Sequence, residues 1–445
     1  MNRKIDMKYE PVIGLEVHVE LKTNSKMFCG CPANHFGKKP NTQTCPVCLG
    51  LPGALPVPNR KAVEWCIRIG LALGCEIPLF AKFDRKNYFY PDLAKGYQIS
   101  QYDQPFCING KLKLDNGKVI GIRRVHMEED TGKLQHAVVE GERVSLVDFN
   151  RSGVPLVEIV TEPDINSVAE AVEYLKKLQQ IVRYLDVSDA DMEKGSMRLE
   201  PNISLRKSGD RGLPNYKVEV KNINSFRFVG KTINYELIRQ EEILERGDRV
   251  VQETRGFSEK NSSTLPRRRK EEANDYRYFP EPDIPPIRWN KSDILSLRET
   301  LPELPDQKYS RFKSLYGLSD YDTSLLTESK SVADYFEESL HLAKPSGISV
   351  KDIANRIINK RVDISILLPD QMIASIIKEK ASKTIGEEEL KNSVEKTIEA
   401  NPKAVSDYKS GKEQALMFLV GQVMRETKGK GNAEKIRELL KKLIV

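Results

Sequence analysis

The sequence predicts an α+β protein in which an antiparallel sheet comes first and helices follow. Residues 12–21 alternate strictly between apolar and polar side chains, and residues 196–205 repeat this alternation, which is typical of strands with one buried face. After a proline-rich stretch near position 285, apolar residues instead recur with helical spacing. We therefore predict an antiparallel-sheet domain at residues 1–292, an all-helical domain at 293–383 and a small helical tail at 384–445.

The composition is that of a globular protein that tolerates an anionic partner. The 445 residues are 39% hydrophobic and 30% charged, and the net charge is +7. The sequence has no run of about 18 apolar residues, which predicts no membrane span, and its start lacks the apolar segment of a secretory signal. All seven cysteines precede position 108, which favours a reducing, cytoplasmic location over a disulfide-bonded secreted protein.

Capping and turn signals place the elements of the first part of the chain. Asn59 and Ser167 are residue types that cap helix N-termini, so we predict helices at residues 59–74 and from Ser167 onward. A third helix is predicted at 228–245. Residues 115–117 (DNG) predict a hairpin turn between two strands.

The same spacing argument predicts the later helices. They are expected at residues 293–300, 308–315, 331–343, 350–359 and 369–380, and in three segments of the tail, the last at 432–443. A short basic run at 267–270 is predicted to be a solvated loop.

Four cysteines form two close pairs, Cys29 with Cys31 and Cys45 with Cys48. Each pair can present two thiolates to one ion, and four soft ligands suit a tetrahedral Zn²⁺ that has no open position for catalysis. Glycine and proline residues beside the pairs are typical of tight turns. We therefore predict a structural zinc site, with disulfides or metal-free thiols as the alternatives.

Carboxylates recur on the polar sides of several predicted strands. A buried carboxylate without a partner is costly, so the ordinary interpretation is that each strand has one solvated face. The alternative is that the carboxylates converge in a concavity of the sheet and bind Mg²⁺ through their oxygens, with phosphates filling the remaining positions. The candidate residues are Glu16, His18, Glu128, Glu129, Glu158 and Glu200.

Basic residues near these strands could supply the counter-charge for phosphate groups. The candidates are Arg85, Lys86, Arg198 and Lys221. The sequence contains neither a P-loop nor a dinucleotide-binding glycine fingerprint, and it shows no recognisable nucleophile motif. The residues alone therefore indicate metal-dependent phosphoryl chemistry outside the P-loop and Rossmann designs.

Six strings of residues, spread from the start of the chain to its tail, are more specific than these patterns. They are 13–21 (IGLEVHVEL), 45–53 (CPVCLGLPG), 83–92 (FDRKNYFYPD), 126–130 (HMEED), 275–283 (DYRYFPEPD) and 418–424 (FLVGQVM). Together they resemble the GatB family, the B subunits of aspartyl/glutamyl-tRNA amidotransferases.

The resemblance implies an enzyme that works with two partners. GatB subunits assemble with GatA and GatC into a heterotrimer, and they bind tRNA(Gln) misacylated with Glu or tRNA(Asn) misacylated with Asp. With ATP and Mg²⁺ they phosphorylate the side-chain carboxylate, and ammonia that GatA releases from glutamine then displaces phosphate to form the amide. The sequence leaves open whether one or both of these misacylated tRNAs are substrates.

The resemblance also implies roles for single positions. Glu16, His18, Glu129 and Glu158 match magnesium-site residues of the family, with Glu128 close by, and Glu200 stands where many members have Asp. The tail is implied to bind tRNA. The helical segment between about 368 and 385 is shorter than is usual in the family, and the chain shows no trace of the inserted domain of the related GatE proteins.

Two functions of other classes stay open at this point. A non-catalytic tRNA-binding scaffold would not consume ATP in the reconstituted complex. A metal-dependent nuclease would cleave tRNA instead of consuming ATP.

Overall fold

The computed structural model describes residues 8–269, 276–359, 362–383 and 386–444. The chain divides into two compact units between Lys308 and Tyr309. In the second unit, the buried apolar side chains form one cluster among residues 312–376 and another among residues 390–444. The division into three domains, with the boundaries given above, stays a prediction.

The first unit is built on strands, as the α+β prediction requires. Its strands are β1 (Tyr9–Glu20), β2 (Phe80–Ala81), β3 (Asp84–Asn87), β4 (Tyr97–Ser100), β5 (Cys107–Lys113), β6 (Val119–Glu129), β7 (Lys133–Val139), β8 (Glu142–Asp148), β9 (Pro155–Thr161), β10 (Met197–Lys207), β11 (Val218–Lys221), β12 (Glu253–Ser258), β13 (Ser263–Arg269), β14 (Phe279–Pro280) and β15 (Ile287–Arg288). Its helices are α1 (Arg60–Ala72), α2 (Val168–Tyr184), α3 (Phe226–Glu245) and α4 (Lys291–Glu299).

The largest sheet has eight strands in the order β13-β12-β11-β10-β1-β9-β6-β5. Neighbouring strands are antiparallel except for β11 and β12, which run parallel. The sequence predicted β1 and β10 as separate strands, and the sheet pairs them along nearly their whole length. The sheet also pairs consecutive strands, β5 with β6, β10 with β11 and β12 with β13, whereas the pairing of β1 with β9 joins distant parts of the chain.

Capping side chains begin the predicted helices where expected. The Asn59 side chain accepts a hydrogen bond from the Ala62 N–H at 3.2 Å, and the Ser167 hydroxyl accepts one from the Glu170 N–H at 3.2 Å. Gly74, with φ of +65°, follows α1 in the left-handed conformation that glycine adopts without strain. The predicted helix starts are confirmed. Capping depends only on residues that are close along the chain, so the sequence alone can show it.

One face of the large sheet packs against helices, and the opposite face carries the polar residues. Alternate residues of β1 point into the core and are at most 1% exposed: Ile13, Leu15, Val17 and Val19. The apolar sides of α1, α2 and α3 share the same hydrophobic cluster. The intervening residues of β1, among them Glu16 and His18, therefore face the other way.

The second unit is helical. Its helices are α5 (Pro305–Tyr316), which starts just before the unit boundary, α6 (Asp320–Leu326), α7 (Lys330–Ala343), α8 (Val350–Asn359), α9 (Pro369–Lys383), α10 (Glu387–Ala400), α11 (Pro402–Lys409), α12 (Glu413–Glu426) and α13 (Ala433–Ile444). The sequence predicted three helices after residue 384, and the structure has four there, because a proline at the start of α11 begins a separate short helix. The short α6 was not predicted.

The structure also corrects the prediction that the basic run at 267–270 is a loop. Instead of forming a loop, residues 267–269 belong to the edge strand β13, which pairs with β12 through a register irregularity next to Arg255. Charged residues are common on edge strands because they oppose pairing with other chains. Lys270 lies outside the described residues.

A buried ionic network joins α3 to β12 and β13. Glu236 is fully buried and contacts Arg239 at 2.8 Å, Arg255 at 3.1 Å and the Gln240 amide at 3.1 Å, and it also accepts a hydrogen bond from the Thr264 hydroxyl. Glu253 and Arg255 both lie on β12, and their side chains are 2.6 Å apart. The network therefore holds its arginines by several carboxylate contacts at once.

The change Glu236→Gln should lower the free energy of unfolding of the first unit by about 3 kcal/mol, since it leaves buried positive charge uncompensated. Both tryptophans, Trp65 and Trp289, lie in this unit, so urea titration followed by tryptophan fluorescence reports its unfolding. Glu241→Gln, an exposed position on the same helix, is the control and should change stability by less than about 0.5 kcal/mol. Equal stability of both variants would contradict a role for the network.

Candidate active site on the polar face of the sheet

Three strands place a carboxylate between two histidines. Glu158 on β9 is the register partner of His18 on β1 and of His126 on β6. Its Oε2 lies 3.6 Å from His18 Nε2 and 3.1 Å from His126 Nε2. Side chains at paired positions of neighbouring strands share one face, which explains this row.

Glu128 completes this first cluster. It lies two residues beyond His126 on β6, and its Oε1 is 3.5 Å from His18 Nε2. Ligand atoms of His18, Glu128 and Glu158 all lie within 4.8 Å of one another. The Nδ1 atoms of both histidines are buried, and neither has a hydrogen-bond partner among the described residues. One cation could therefore bind between these side chains.

The electrostatics of the first cluster favour a cation. Burial by itself would lower the pKa of His18, but Glu158, Glu200 and Glu128 together raise it to about 9. Burial opposes ionisation of Glu158, yet His126 and His18 hold the pKa of this carboxyl well below its usual range. Glu158 is thus ionised, and the carboxylates around His18 favour its protonated form, whose proton a bound cation would replace.

A second carboxylate cluster lies further along the same face. Glu16 on β1 pairs in register with Glu200 on β10, and together with Glu219 on β11 they place ligand atoms within 4.8 Å of one another. Burial, followed by the charge of Glu158, raises the pKa of Glu16. Lys221 Nζ is 2.7 Å from Glu200 and 3.2 Å from Glu219. This cluster is therefore partly neutralised by its ion pairs with a lysine.

Two further predicted phosphate-binding residues also lie beside the first cluster. Arg198 is the register partner of His18 on β10, and its guanidinium contacts both oxygens of Asp130, at 2.7 and 3.2 Å. Burial would lower the pKa of Lys86, but Glu128 and other neighbouring groups raise it above its usual value. Both side chains therefore keep their positive charge next to the carboxylates.

The fourth predicted basic residue, Arg85, is engaged elsewhere. Neighbouring residues of a strand point to opposite faces, so Arg85 points away from the side occupied by Lys86. Its guanidinium binds both oxygens of the buried Glu281 at 2.7 and 2.8 Å and lies 4.3 Å from the centre of the Tyr97 ring. The guanidinium of Arg85 is thus already bound to a carboxylate of the protein.

Glu129 is separated from both carboxylate clusters. Its two oxygens lie 2.5 and 2.6 Å from Lys95 Nζ, and Oε1 also accepts a hydrogen bond from the Ile99 N–H at 2.9 Å. It follows Glu128 on β6 and therefore points to the opposite face. The structure brings together Glu16, His18, Glu128, Glu158 and Glu200 on one face, whereas the magnesium role of Glu129 stays a prediction.

The four predicted cysteine ligands converge. The sulfur atoms of Cys29, Cys31, Cys45 and Cys48 lie within 4.8 Å of one another, although 13 residues separate the two pairs in the chain. A contact with Cys29 is the largest of the effects that lower the pKa of Cys48, to about 4, and Lys26 adds to them. Four sulfur atoms at this spacing can bind one tetrahedral metal ion.

Buried neighbours support the cysteine cluster. Lys26 is fully buried, and its Nζ lies 3.6 Å from Cys48 Sγ and 2.8 Å from the Gln43 carbonyl oxygen. The Cys45 N–H donates to Cys48 Sγ at 3.2 Å. Gly50 has φ of +65°, and a Cβ there would lie 2.4 Å from Lys95 Cγ, so only glycine fits this turn. The same Lys95 binds Glu129.

Sequence reasoning missed His126, Glu219 and Asp130 as members of the site. His126 stands two residues before Glu128, so strand alternation is the signal that could have placed it on the same face. Glu219 belongs to the short strand β11, and its approach to Glu16 depends on a sheet order that the local sequence does not contain. Asp130 follows the end of β6, where alternation no longer predicts direction.

Comparisons with known proteins find relatives over nearly the whole chain. The family described as the GatB/GatE catalytic domain matches residues 11–294, and the one described as the GatB domain matches residues 325–444. A protein of Caldanaerobacter subterraneus subsp. tengcongensis, named as the B subunit of an aspartyl/glutamyl-tRNA(Asn/Gln) amidotransferase, is 49% identical, covering 98% of this chain and 99% of its own length. The proteins of that name from Carboxydothermus hydrogenoformans and Thermotoga maritima are 47% and 46% identical; each covers 98% of this chain, and the matches span 98% and 99% of their lengths.

Among the described residues, no helix is both long enough and apolar enough to cross a membrane. Both family matches fall on the parts of the chain that form the large sheet and the later helices, and the relatives match nearly from end to end. The chain therefore belongs to the GatB family.

Proposed function

We propose that this chain is the component of a tRNA-dependent amidotransferase that activates the misacylated tRNA. It uses ATP and Mg²⁺ to phosphorylate the side-chain carboxylate of Glu-tRNA(Gln), Asp-tRNA(Asn) or both. Ammonia from glutamine, released by the GatA subunit, then converts the acyl phosphate to the amide. The whole complex, with GatC as third subunit, is a carbon–nitrogen ligase that acts in the cytoplasm during protein synthesis.

The observation that carries this proposal is the pair of carboxylate clusters on one face of the sheet. Phosphoryl transfer to a carboxylate brings together a nucleotide, a cation and an anionic acceptor, so its site needs acidic metal ligands beside basic residues. The metal ligands would be His18, Glu128 and Glu158. The basic residues beside them are Lys86, Arg198 and Lys221. A scaffold that only bound tRNA would have no use for buried, mutually repelling carboxylates.

The two chemical steps make different demands on these residues. In the first, an oxygen of the substrate carboxylate attacks the γ-phosphorus and ADP leaves, so no proton is transferred. In the second, ammonia attacks the acyl carbon, the bond from this carbon to the phosphate oxygen breaks, and inorganic phosphate leaves with a proton from the nitrogen. A bound Mg²⁺ would neutralise charge on the phosphate groups. Lys86 and Arg198 keep their charge in this largely buried site and can hold anionic oxygens in place.

The proposal is tested in the complex reconstituted with GatA and GatC. Glu-tRNA(Gln) and Asp-tRNA(Asn) are supplied separately, and ADP, amide and intact tRNA are measured together. We expect one ADP for each amide formed, with the tRNA uncut. Amide formation without ADP would reject the kinase role, and tRNA fragments would indicate a nuclease.

The change Glu158→Gln should reduce ATP-dependent amide formation at least about 100-fold, which corresponds to ~2.7 kcal/mol of barrier. It removes the carboxylate that His18 and His126 share, while the volume stays the same. Hydrolysis of glutamine by the complex should stay near the level of the unaltered complex. The same holds for the affinity for tRNA. Glu10→Gln, on the same sheet but paired with Arg206 outside both clusters, is the control and should keep full activity.

Glu129→Gln distinguishes the magnesium role from the contact with Lys95. If Glu129 belongs to the metal site, the variant should need a higher Mg²⁺ concentration for half-maximal activity. If Glu129 only holds Lys95 and the Ile99 amide, thermal stability should fall and the Mg²⁺ dependence should be unchanged.

We further propose that the four cysteines bind one structural Zn²⁺. Elemental analysis should find about one zinc per chain, and the double change Cys45→Ser and Cys48→Ser should remove it and lower the thermal stability of the first unit. Cys66→Ala removes a buried thiol outside the cluster and should leave the zinc in place. A native protein with disulfides and no zinc would refute this assignment.

The tail is proposed to bind the tRNA backbone. Lys428 and Lys430 are exposed in the turn between α12 and α13, where Lys428 and Gly429 have positive φ values of +51° and +78°. Lys435 and Arg437 follow on the exposed side of α13. Such residues can approach phosphates closely, which makes binding salt-dependent.

Changing Lys428, Lys430, Lys435 and Arg437 to Ala should weaken tRNA binding and raise the KM for misacylated tRNA. The slope of log affinity against log salt should fall by about one unit for each phosphate that the variant no longer binds. Changing the exposed Lys391, Lys396, Lys403 and Lys409 to Ala removes the same number of charges from α10 and α11 of the same unit and controls for net charge. Unaltered tRNA affinity in the fourfold variant would contradict this role and leave only a structural role for the tail.

A further inference from the structure

Lys26 is a fully buried lysine beside the cysteine cluster. It lies in the chain between the end of β1 and Cys29. Lysine is almost never buried completely unless its charge is paired, because removing an ammonium group from water is costly. No Asp or Glu among the described residues forms an ion pair with Lys26, whose ammonium group contacts other kinds of acceptor. Its charge therefore needs another negative group.

The ammonium group of Lys26 has three N–H donors and three acceptors around it. Its Nζ lies 2.8 Å from the Gln43 carbonyl oxygen, 3.4 Å from the Phe149 carbonyl oxygen and 3.6 Å from Cys48 Sγ. The two carbonyl oxygens are neutral. Of these three acceptors, only the sulfur of Cys48 can carry a full negative charge, so it is the group that can compensate the charge of Lys26.

The backbone around Lys26 directs the side chain at the cysteine cluster. The Lys26 N–H donates to the Cys31 carbonyl oxygen at 2.9 Å, and the preceding Ser25 pairs with Pro32 in a short antiparallel bridge. Lys26 thus contacts the first cysteine pair through its backbone and the second pair through its side chain at Cys48. The same fold that brings the four sulfur atoms together therefore also places a positive charge next to them.

Counting charges shows what this lysine does for a bound metal ion. Four thiolates and one Zn²⁺ together leave two negative charges, of which one ammonium group compensates one. Without a metal ion, thiols can keep their protons, so the buried negative charge is smaller and a neighbouring cation stabilises it less. Cys48 Sγ also accepts a hydrogen bond from the Cys45 N–H at 3.2 Å, and a charged donor such as Lys26 binds an anion more strongly than an amide does.

We propose that Lys26 is a functional part of the metal site, in which its ammonium group compensates the negative charge of the zinc-bound thiolates through Cys48 and so raises the affinity for Zn²⁺. This inference rests on the zinc assignment proposed above and adds a residue outside the four ligands that determines how firmly the ion is held. Groups that hydrogen-bond to metal ligands change metal affinity by about 10- to 100-fold when they are removed.

The inference is tested on the full chain by competition for zinc with a chromophoric chelator. Lys26→Met keeps the length of the side chain and suits a buried position, but it removes the charge. It should lower the affinity for Zn²⁺ at least about tenfold. Lys26→Gln, which keeps a polar end without a charge, should show a loss of the same order. Circular dichroism checks that each variant is folded.

Lys22→Met is the matched control. Lys22 stands four residues earlier in the chain, its side chain is 40% exposed, and its Nζ pairs with Asp186 at 2.6 Å, away from the cysteines. This change removes the same charge from the chain, so it tests whether overall charge explains the effect. The affinity for Zn²⁺ should stay within about twofold of that of the unaltered chain.

An affinity for Zn²⁺ that stays within about twofold in both Lys26 variants would overturn the inference. A lower thermal stability in those variants would not rescue it, because it would show only that Lys26 holds the carbonyl oxygens of Gln43 and Phe149. If the unaltered chain binds no zinc, the zinc assignment itself has failed.

A second measurement observes the contact in the unaltered chain. When a magnetic isotope of cadmium replaces zinc, nuclear magnetic resonance detects a coupling between the metal and a proton that is hydrogen-bonded to a ligand sulfur. We expect such a coupling to the ammonium protons of a lysine and another to the Cys45 amide proton, which also donates to Cys48 Sγ. A spectrum that shows the amide coupling without any lysine coupling would overturn the inference.

Discussion

The buried contact of Glu158 with two histidines is the constraint around which the polar face is arranged. A carboxylate at this depth is stable only with partners, and β1 and β6 supply them from both sides of β9. The contact fixes the register of three neighbouring strands, because a slip by one residue would turn His18 into the core. Glu128 adds a second carboxylate beside His18, and Glu158, Glu200 and Glu128 together raise the pKa of His18, so this position favours positive charge.

Basic residues around the site come from parts of the chain that are far apart. Arg198 and Lys221 come from β10 and β11, whereas Lys86 comes from the small sheet of β3, β4 and β14. Arg198 and Lys221 are each held by a carboxylate instead of lying free in solvent, as their contacts with Asp130 and Glu200 show. Ordered charges of this kind need little rearrangement when an anionic substrate arrives, which is the condition for electrostatic catalysis.

Local sequence patterns predicted the elements of this fold well and their arrangement only in part. Alternation located β1 and β10, and capping residues located α1 and α2, because these signals act between neighbours along the chain. The convergence of Glu16 with Glu219 depends on the order of strands in the sheet, which short-range sequence patterns do not contain. The strand pattern supplied Glu158 and His18 as candidates and the resemblance implied their magnesium role, yet neither could show that Glu129 faces Lys95 instead of His18.

The neighbours of the cysteine cluster give a physical reason for its position. Lys26 contacts Cys48 and also the Phe149 carbonyl oxygen, and Gln43, which lies between the cysteine pairs, donates its N–H to Asn150. The segment between the pairs is thus fastened to the chain that leads into β9 and Glu158. The same segment carries His35, which contacts Glu20 on β1. A metal that fixed the four sulfur atoms would therefore also hold in place the segment that carries His35 and its contact with Glu20.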